Sequence, residues 1–535
     1  MVVTFGTIFI VFVFFSIYYQ QNVKLFGDGS IHSNFMLDFA RKKNFDGLSE
    51  HLWGTYGFPR FQQFTLNYPP LYHLIGTYLI DIFKNKTVYL IDSFVLIMLV
   101  VFANQYIWSK TKSSFNVLLN TLLLCLSSLL VSQGNNNLFY SIFASISYLS
   151  LWMYIGNKKL VFLICYILSA VASFGSKQFY IFIYPFLLSS FLIFSIRDKR
   201  LLKSFIFSTL IILALISPFF YFQIKTTGTI STQTIEGWPY VDKLLPARHM
   251  KIDNWQKEID TIVNIKKLRE LSEKHYISIN SGISVLIRYP IKTIFQWVDL
   301  NNYSLLPSSI KTNIFSGIFL FLFAISITQY LCKRYRRDHI IKIISVLVPF
   351  IIIITFTKRI EYALFLPIMV ILFISYSIRV SNAKIRALTL MLVTTILIVN
   401  LNIYVNNLIP FSNNNYMRTK VPSADIDSMY SWIIKNVGEN DLIMSTNTQD
   451  DPYYTDKKYF YDYRLWFLNE SDLVKYLPRY SMFKYIVVFK PNIKSDFDNW
   501  NVIPSISPLY NDLKNKNRFF KPVYENNYFE VYEKT

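Results

Sequence analysis

The chain has 535 residues, of which 53% are hydrophobic, 18% aromatic and 16% charged, with a formal net charge of +21. Soluble domains carry about a quarter charged residues, whereas apolar runs long enough to cross a bilayer, about 17–25 residues, recur along most of this sequence. That excludes an ordinary soluble protein, and the placement of the basic residues in short loops between apolar runs, as membrane insertion favours, gives no reason to expect nucleic acid as a partner.

Residues 3–19 form the first apolar run. It has no basic n-region and no small-residue cleavage site, so it reads as a retained span. A polar loop, 20–87, follows. It opens with Phe26-Gly27-Asp28-Gly29, where the glycines allow a sharp turn. Ser30 to Phe39 is expected to form a short surface helix, with Asp38 about three turns on. The same loop carries Asn67-Tyr68-Pro69-Pro70-Leu71-Tyr72-His73. Residues 70–83 are helical in pattern but short for a span, and Pro-Pro suits a helix start. An interfacial helix is expected there.

Further spans are expected over 88–108, 115–131, 138–155, 160–174, 179–196, 204–222, 313–332, 340–356, 360–378 and 384–405, about eleven in all. With the N-terminus cytoplasmic and 70–83 not crossing, the short inner loops hold sixteen basic residues. The short outer loops hold three, Lys177, Lys358 and Arg359. Both long loops, 20–87 and 223–312, then face outside, as does the C-terminal segment. Charges inside the spans are few, Asp92 being an exception. The asparagine runs 135–137 and 413–415 read as compositional drift. Cys125, Cys165 and Cys332 all lie in or beside apolar runs and imply no disulfide framework. No two histidines have metal-ligand spacing, so no metal ligands are assigned.

Residues 406–535 change character. Asp425 to Val437 reads as a helix, and 442–444, 485–489 and 528–532 read as strands, the last after an Asn-Asn turn. The expected fold is therefore an α-helical polytopic membrane protein. Residues 1–405 form the transmembrane module, and 406–535 a small extracytoplasmic α/β domain.

Several residues could carry chemistry. Asp28 suits a general base toward an acceptor hydroxyl, or a metal ligand, and equally an ordinary turn aspartate. Lys177 is a lone cation in the outer turn Ser173-Phe174-Gly175-Ser176-Lys177-Gln178, against the orientation bias. Lys358, Arg359 and Glu361 share another outer turn, followed by Tyr362. Arg and Lys there suit a lipid-linked phosphate, or simply snorkel to headgroups. An Arg359–Glu361 ion pair is a further reading.

In this order of elements the chain resembles the GT-C class of integral-membrane glycosyltransferases. It is most similar to the branch related to protein O-mannosyltransferases and lipid A aminoarabinose transferases. The resemblance rests on Asp28, Pro69-Pro70-Leu71-Tyr72, Lys177 and the Arg359/Tyr362/Pro367 stretch. Gly29 stands where those relatives often carry Glu, and Asn67 and Tyr68 stand where some carry an acid and a Lys. The resemblance implies transfer of a hexose or pentose, with inversion, from a polyprenyl-phosphate donor to a lipid, glycan or protein hydroxyl at the extracytoplasmic face. A prokaryotic plasma membrane is the expected location. Asp28 would activate the acceptor. Lys177, Lys358 and Arg359 would meet the donor phosphate, and Asn67, Tyr68, His73, Glu361 and Tyr362 would support acceptor and loops. No cofactor is specified, and a divalent metal is left open. Two other classes compete. One is an O-antigen ligase or polymerase using Arg248-His249 in the second loop. The other is a transporter or flippase, which would show repeated halves; the sequence has no such repeat.

Overall fold

The structure, a computed structural model, describes residues 28–45, 47–55, 58–65, 68–83, 87–125, 136–177, 179–196, 198–227, 336–357, 364–380, 387–388, 390–395, 398, 423–445, 451–460, 483–490, 508–516 and 519–535. The expected spans 3–19 and 313–332, and most of 384–405, lie outside these residues, as does nearly all of loop 223–312.

The described part is mostly helical. The membrane-type helices are α3 (Thr87–Thr111), α4 (Ser114–Cys125), α5 (Asn136–Asn157), α6 (Leu160–Phe174), α7 (Tyr180–Ser195), α8 (Lys199–Thr227), α9 (Arg336–Thr357) and α10 (Phe365–Val380), following α1 (Asp28–Lys42) and α2 (Leu71–Phe83). Among the described residues, α3, α5 and residues 199–222 of α8 are long and apolar enough to cross a bilayer. Helices dominate because a span has no water to satisfy its backbone and must bond within itself.

Helix α5 is the central element. Nearly all its residues are buried, and its serines let neighbours approach closely. Two of their hydroxyls bond within the helix or across it: Ser145 Oγ donates to the Ser141 carbonyl at 2.9 Å, and Ser147 Oγ lies 2.7 Å from the Tyr180 hydroxyl of α7. Amide side chains join other helices. Asn104 of α3 donates to Thr121 Oγ1 of α4 at 2.7 Å and accepts from Asn120 Nδ2 at 3.0 Å. Asn116 Nδ2 donates to the Ser375 carbonyl of α10. By contrast α8 turns Ile206, Phe207, Leu210 and Leu213 outward, the surface a lipid-facing helix presents.

The expected surface helix is α1, and it begins earlier than expected, at Asp28. Asp28 and Gly29 therefore occupy the first helical turn instead of a Gly-Asp-Gly turn. An acidic residue at that end complements the helix dipole. The expected interfacial helix is α2, with Tyr72, His73, Gly76 and Ile80 buried and Tyr78 and Ile82 exposed.

The C-terminal segment supplies α11 (Ser423–Asn436), β3 (Leu442–Ser445), α12 (Asp451–Thr455), β4 (Lys458–Phe460), β5 (Phe483–Phe489), α13 (Pro508–Asn511), a π-helical turn Asp512–Lys516, β6 (Phe520–Glu525) and β7 (Phe529–Lys534). The helix and three strands expected from periodicity are all present. Asn526 Oδ1 accepts from the Tyr528 and Phe529 amides at 2.9 and 2.8 Å, which makes the β6–β7 turn. Helix α11 packs Ile426, Met429, Tyr430 and Ile433 against Ile443, Tyr459, Val487 and Val531 of the sheet.

The sheet is not confined to the C-terminal segment. Its order is β2-β1-β4-β3-β5-β7-β6, where β1 (Leu48–Thr55) and β2 (Phe58–Thr65) are an antiparallel hairpin from the first loop. Strand β1 runs parallel to β4, with Leu52 opposite Tyr459 and Trp53 opposite Phe460. Pro59 fits because β2 is an edge strand and its missing N–H removes no ladder bond on the open side. The first loop thus reaches from the helices, through α1 and α2, to the sheet.

Candidate functional site

Helices α1 and α2 cross closely. A Cβ built on Gly76 would lie 2.2 Å from Met36 Sδ, so only glycine permits this approach without displacing Met36. The crossing brings His32 against His73, with His32 Nδ1 2.8 Å from His73 Nε2. The start of α2 is fixed from below: the Leu71 amide donates to the Gly175 carbonyl at 2.7 Å, in the turn that ends α6. Pro69 and Pro70 bring no N–H groups that need partners there. Gly175 is itself crowded, since a Cβ would meet the Phe219 ring at 2.7 Å and Leu71 Cβ at 3.0 Å.

Two residues later the chain places Lys177, which is 1% exposed. Its ammonium donates to Asn136 Oδ1 at 3.1 Å and to Asn137 Oδ1, and lies 4.5 Å from the centroid of the Tyr68 ring. Asn136 also donates through Nδ2 to the Ser176 carbonyl at 3.3 Å, tying the turn to the helix. Asn136 and Asn137 open α5. The first amides of a helix have no acceptor within it and point outward with the positive end of the dipole. A buried ammonium and a helix N-terminus therefore coincide, and both favour an anion.

The imidazole pair adds no charge to this point. Burial, then the Lys177 charge, lower His32 to about 3, against a hydrogen bond with Asn136. Burial, then the His32 and Lys177 charges, hold His73 well below the usual histidine range. Both rings are neutral at pH 7, and one nitrogen of the close pair donates to the other. Around them, His73 Nδ1, Asn34 Nδ2 and the Tyr72 hydroxyl are buried with no hydrogen-bond partner among the described residues. Buried polar atoms of this kind ordinarily have partners, including ordered water and ligands.

A second polar network lies farther along α1. Asp38, fully buried, accepts from Ser49 Oγ at 2.6 Å, from the Glu50 amide at 3.0 Å and from His51 Nδ1 at 2.7 Å. His51 Nε2 lies 3.1 Å from Asp456, between α12 and β4. Arg41 forks onto both oxygens of the same aspartate at 2.6 and 3.0 Å. Burial pulls the His51 pKa down, but the bonds and charges of Asp38 and Asp456 outweigh it and raise it to about 9. The His51 bond foremost, then Arg41, holds Asp456 below the usual carboxylate range, against burial.

Of the residues expected from sequence, Lys177, Tyr68 and His73 come together. Asp28 heads α1 one turn before His32, its backbone alone being described. Asn67, Lys358, Arg359, Glu361 and Tyr362 lie outside the described residues, as does Arg248-His249. His32, Asn136 and Asn137 were not expected. Reading the 135–137 run as compositional drift is incorrect for Asn136 and Asn137, whose amides hold Lys177. Their usable signal was position, an amide pair between apolar runs on the side assigned to Lys177.

No family model matches the chain, and no curated protein matches it. Among solved structures, the chain is similar to apo ArnT from Cupriavidus metallidurans, at 10% identity and a TM-score of 0.45, with 99% of this chain and 97% of that one covered. It is also similar to the same organism's ArnT bound to undecaprenyl phosphate, at 8% identity and a TM-score of 0.43, with the same coverage.

Proposed function

We propose that the protein is a GT-C-type membrane glycosyltransferase that moves a sugar from a polyprenyl-phosphate donor to an acceptor hydroxyl at the extracytoplasmic face. The observation that carries this reading is the buried Lys177 ammonium at the N-terminus of α5, one helical turn of α1 away from Asp28 through His32. In the proposed arrangement about eleven spans surround the isoprenoid tail. The sheet, with the C-terminal segment, lies outside and shapes access of the acceptor.

The donor phosphate sits against Lys177 and the N-terminal end of α5, with Lys358 and Arg359 as further cations. Asp28 takes the proton of the acceptor hydroxyl. The freed oxygen pair attacks the anomeric carbon from the face opposite the phosphate, and the anomeric C–O bond to phosphate breaks with inversion. The lipid phosphate leaves with that electron pair. Charge on its oxygen grows toward the cations, which stabilise the transition state more than the ground state. Neutral His32 and His73 keep the positive charge concentrated at Lys177 and hold α1 on α2. Tyr68 limits the ammonium's freedom by covering it with its ring.

The test is sugar release from a radiolabelled polyprenyl-phosphate hexose by the purified chain, wild type beside Asp28→Asn. Turnover lost with donor binding kept supports the transferase and the role of Asp28. Equal turnover in both removes Asp28 from the chemistry. No donor binding by wild type overturns the reading.

A further inference from the structure

At the opposite end of α5 from Lys177, a pair of cations converges on one helix face. Trp152 lies sixteen residues after Asn136, about 24 Å along the axis, and is 2% exposed. The Lys342 ammonium of α9 stands 5.4 Å from the centroid of its ring. Gly156 is one turn further on the same face. There a built Cβ would have the Lys110 ammonium of α3 at 3.7 Å. That lysine thus lies against the helix at Gly156, and it is also 6.0 Å from the Tyr106 ring centroid. The two ammonium groups are close enough for their charges to act on each other.

The neighbouring lysine at this end is handled differently. Lys158 forms an ion pair with Asp198, whose other oxygen accepts the Arg200 amide at 2.9 Å. Neither Lys110 nor Lys342 has an ion-pair partner among the described residues; Asp338, one turn before Lys342, only moderates its charge. The Trp152 indole N–H beside Lys342 is buried with no acceptor among the described residues. Two like charges drawn to one face beside an orphaned donor leave three donors and no anion.

We propose that Lys110, Lys342 and the Trp152 indole form a second phosphate site, occupied by the headgroup of an acidic membrane lipid in the leaflet opposite the Lys177 site. Basic pockets between spans bind such headgroups through charge, and the apolar flank of the helices accommodates the acyl chains. The Tyr106 and Phe373 rings pack at a tilt against Trp152, with centroids 6.0 and 6.4 Å from it. They keep water from the buried Trp152 indole N–H, while Lys110 at the helix end stays open to an approaching headgroup. This inference does not depend on the proposed transferase activity.

The experiment is native mass spectrometry of the purified full chain carrying phosphatidylglycerol or phosphatidylcholine, for wild type, Lys110→Gln, Lys342→Gln, the double variant and Trp152→Phe. Phosphatidylglycerol retention is expected to fall about fivefold for each lysine neutralised, and also in Trp152→Phe, with phosphatidylcholine unchanged. The double arginine variant, which keeps both charges, is expected to retain the acidic lipid; its failure to do so would make the effect one of packing and overturn the proposal. Equal retention by wild type and the double glutamine variant overturns it too. A third arm uses millimolar inorganic phosphate and no lipid. Binding there that the glutamine variants abolish, without lipid selectivity, would assign the site to free phosphate and overturn the lipid reading.

Discussion

The network around His51 makes the attachment of the first loop to the sheet depend on pH. Both ring nitrogens face carboxylate oxygens, Asp38 at 2.7 Å and Asp456 at 3.1 Å, so the doubly protonated ring is the form that satisfies both. The gap between an ordinary histidine at 6.5 and about 9 corresponds to about 3 kcal/mol. Because the pKa is raised on folding, this stabilisation is fully present below pH 6.5 and is lost as pH rises through about 9. Asp456 has the opposite sign: its contribution is present above the usual carboxylate range and fades in acid as pH falls through its lowered value. The Arg41–Asp456 pair is half exposed and adds little on its own. Lys42 and Glu50, 3.5 Å apart, form a further ion pair beside the network.

The assay is hydrogen exchange of the amides in β1 and α1 at pH 6 and pH 9.5, corrected for the chemical exchange rate. Protection in the wild type should fall by about two powers of ten at the higher pH. His51→Gln should begin low and show a flat profile. Equal corrected protection at both pH values, or an unchanged slope in His51→Gln, would refute the reasoning.

Three further outcomes follow from the site. Lys177→Gln should lower glycosyl turnover by about 10²–10³-fold, the scale of one lost charge-stabilising donor, while the thermal unfolding midpoint in detergent does not fall; a normal rate would detach Lys177 from the chemistry. His73→Phe should cost about 1–3 kcal/mol because it strands His32 Nδ1 in a buried place, and adding His32→Phe should cost less than a second such loss, read from denaturation of the single and double variants. Gly76→Ala should destabilise the α1–α2 crossing by about 1–3 kcal/mol as Met36 is forced aside, seen as faster proteolysis within 28–45; an unchanged cleavage rate would show that Met36 relocates freely.

Most helices were legible because a bilayer leaves a chain few options, and long apolar runs state the choice openly. Helix α2 was legible from Pro69-Pro70, and β3, β5 and β7 from short apolar runs bounded by polar residues. Strands β1 and β2 were not, since Gly54 and Pro59 interrupt them and their apolar residues do not alternate. Strand β4 is three residues long and has no period to read. The pairing of 52–53 with 459–460 was beyond reach for a different reason: periodicity marks which face of a strand is buried and is silent on which strand covers its edge. In the site, Lys177 stood out because a cation there opposes the orientation bias. His32 did not, because a single histidine on a short helix is unremarkable until its partner, forty-one residues away, is known.

The missed pairing changes how the site must work. Helix α1 is a fifteen-residue rod, about 22 Å long. Asp28 heads it, His32 touches the Lys177 cluster in its second turn, and Asp38 and Arg41 bind the sheet near its end. A rod clamped at both ends transmits displacement. Releasing the Asp38–His51–Asp456 contact loosens one end, while the α1–α2 crossing at Gly76 and the imidazole pair still hold the other. A shift of about 1 Å at a reacting group can cost about a hundredfold in rate. His51 is far along the chain from Lys177, and its own bonds run to Asp38 and Asp456. Its replacement should nevertheless lower turnover while donor binding, which the proposed arrangement assigns to Lys177 and α5, is kept. A loss of donor affinity in His51→Gln with turnover per bound donor unchanged would mean that the sheet acts on the α5 end, and that α1 is not the connecting element.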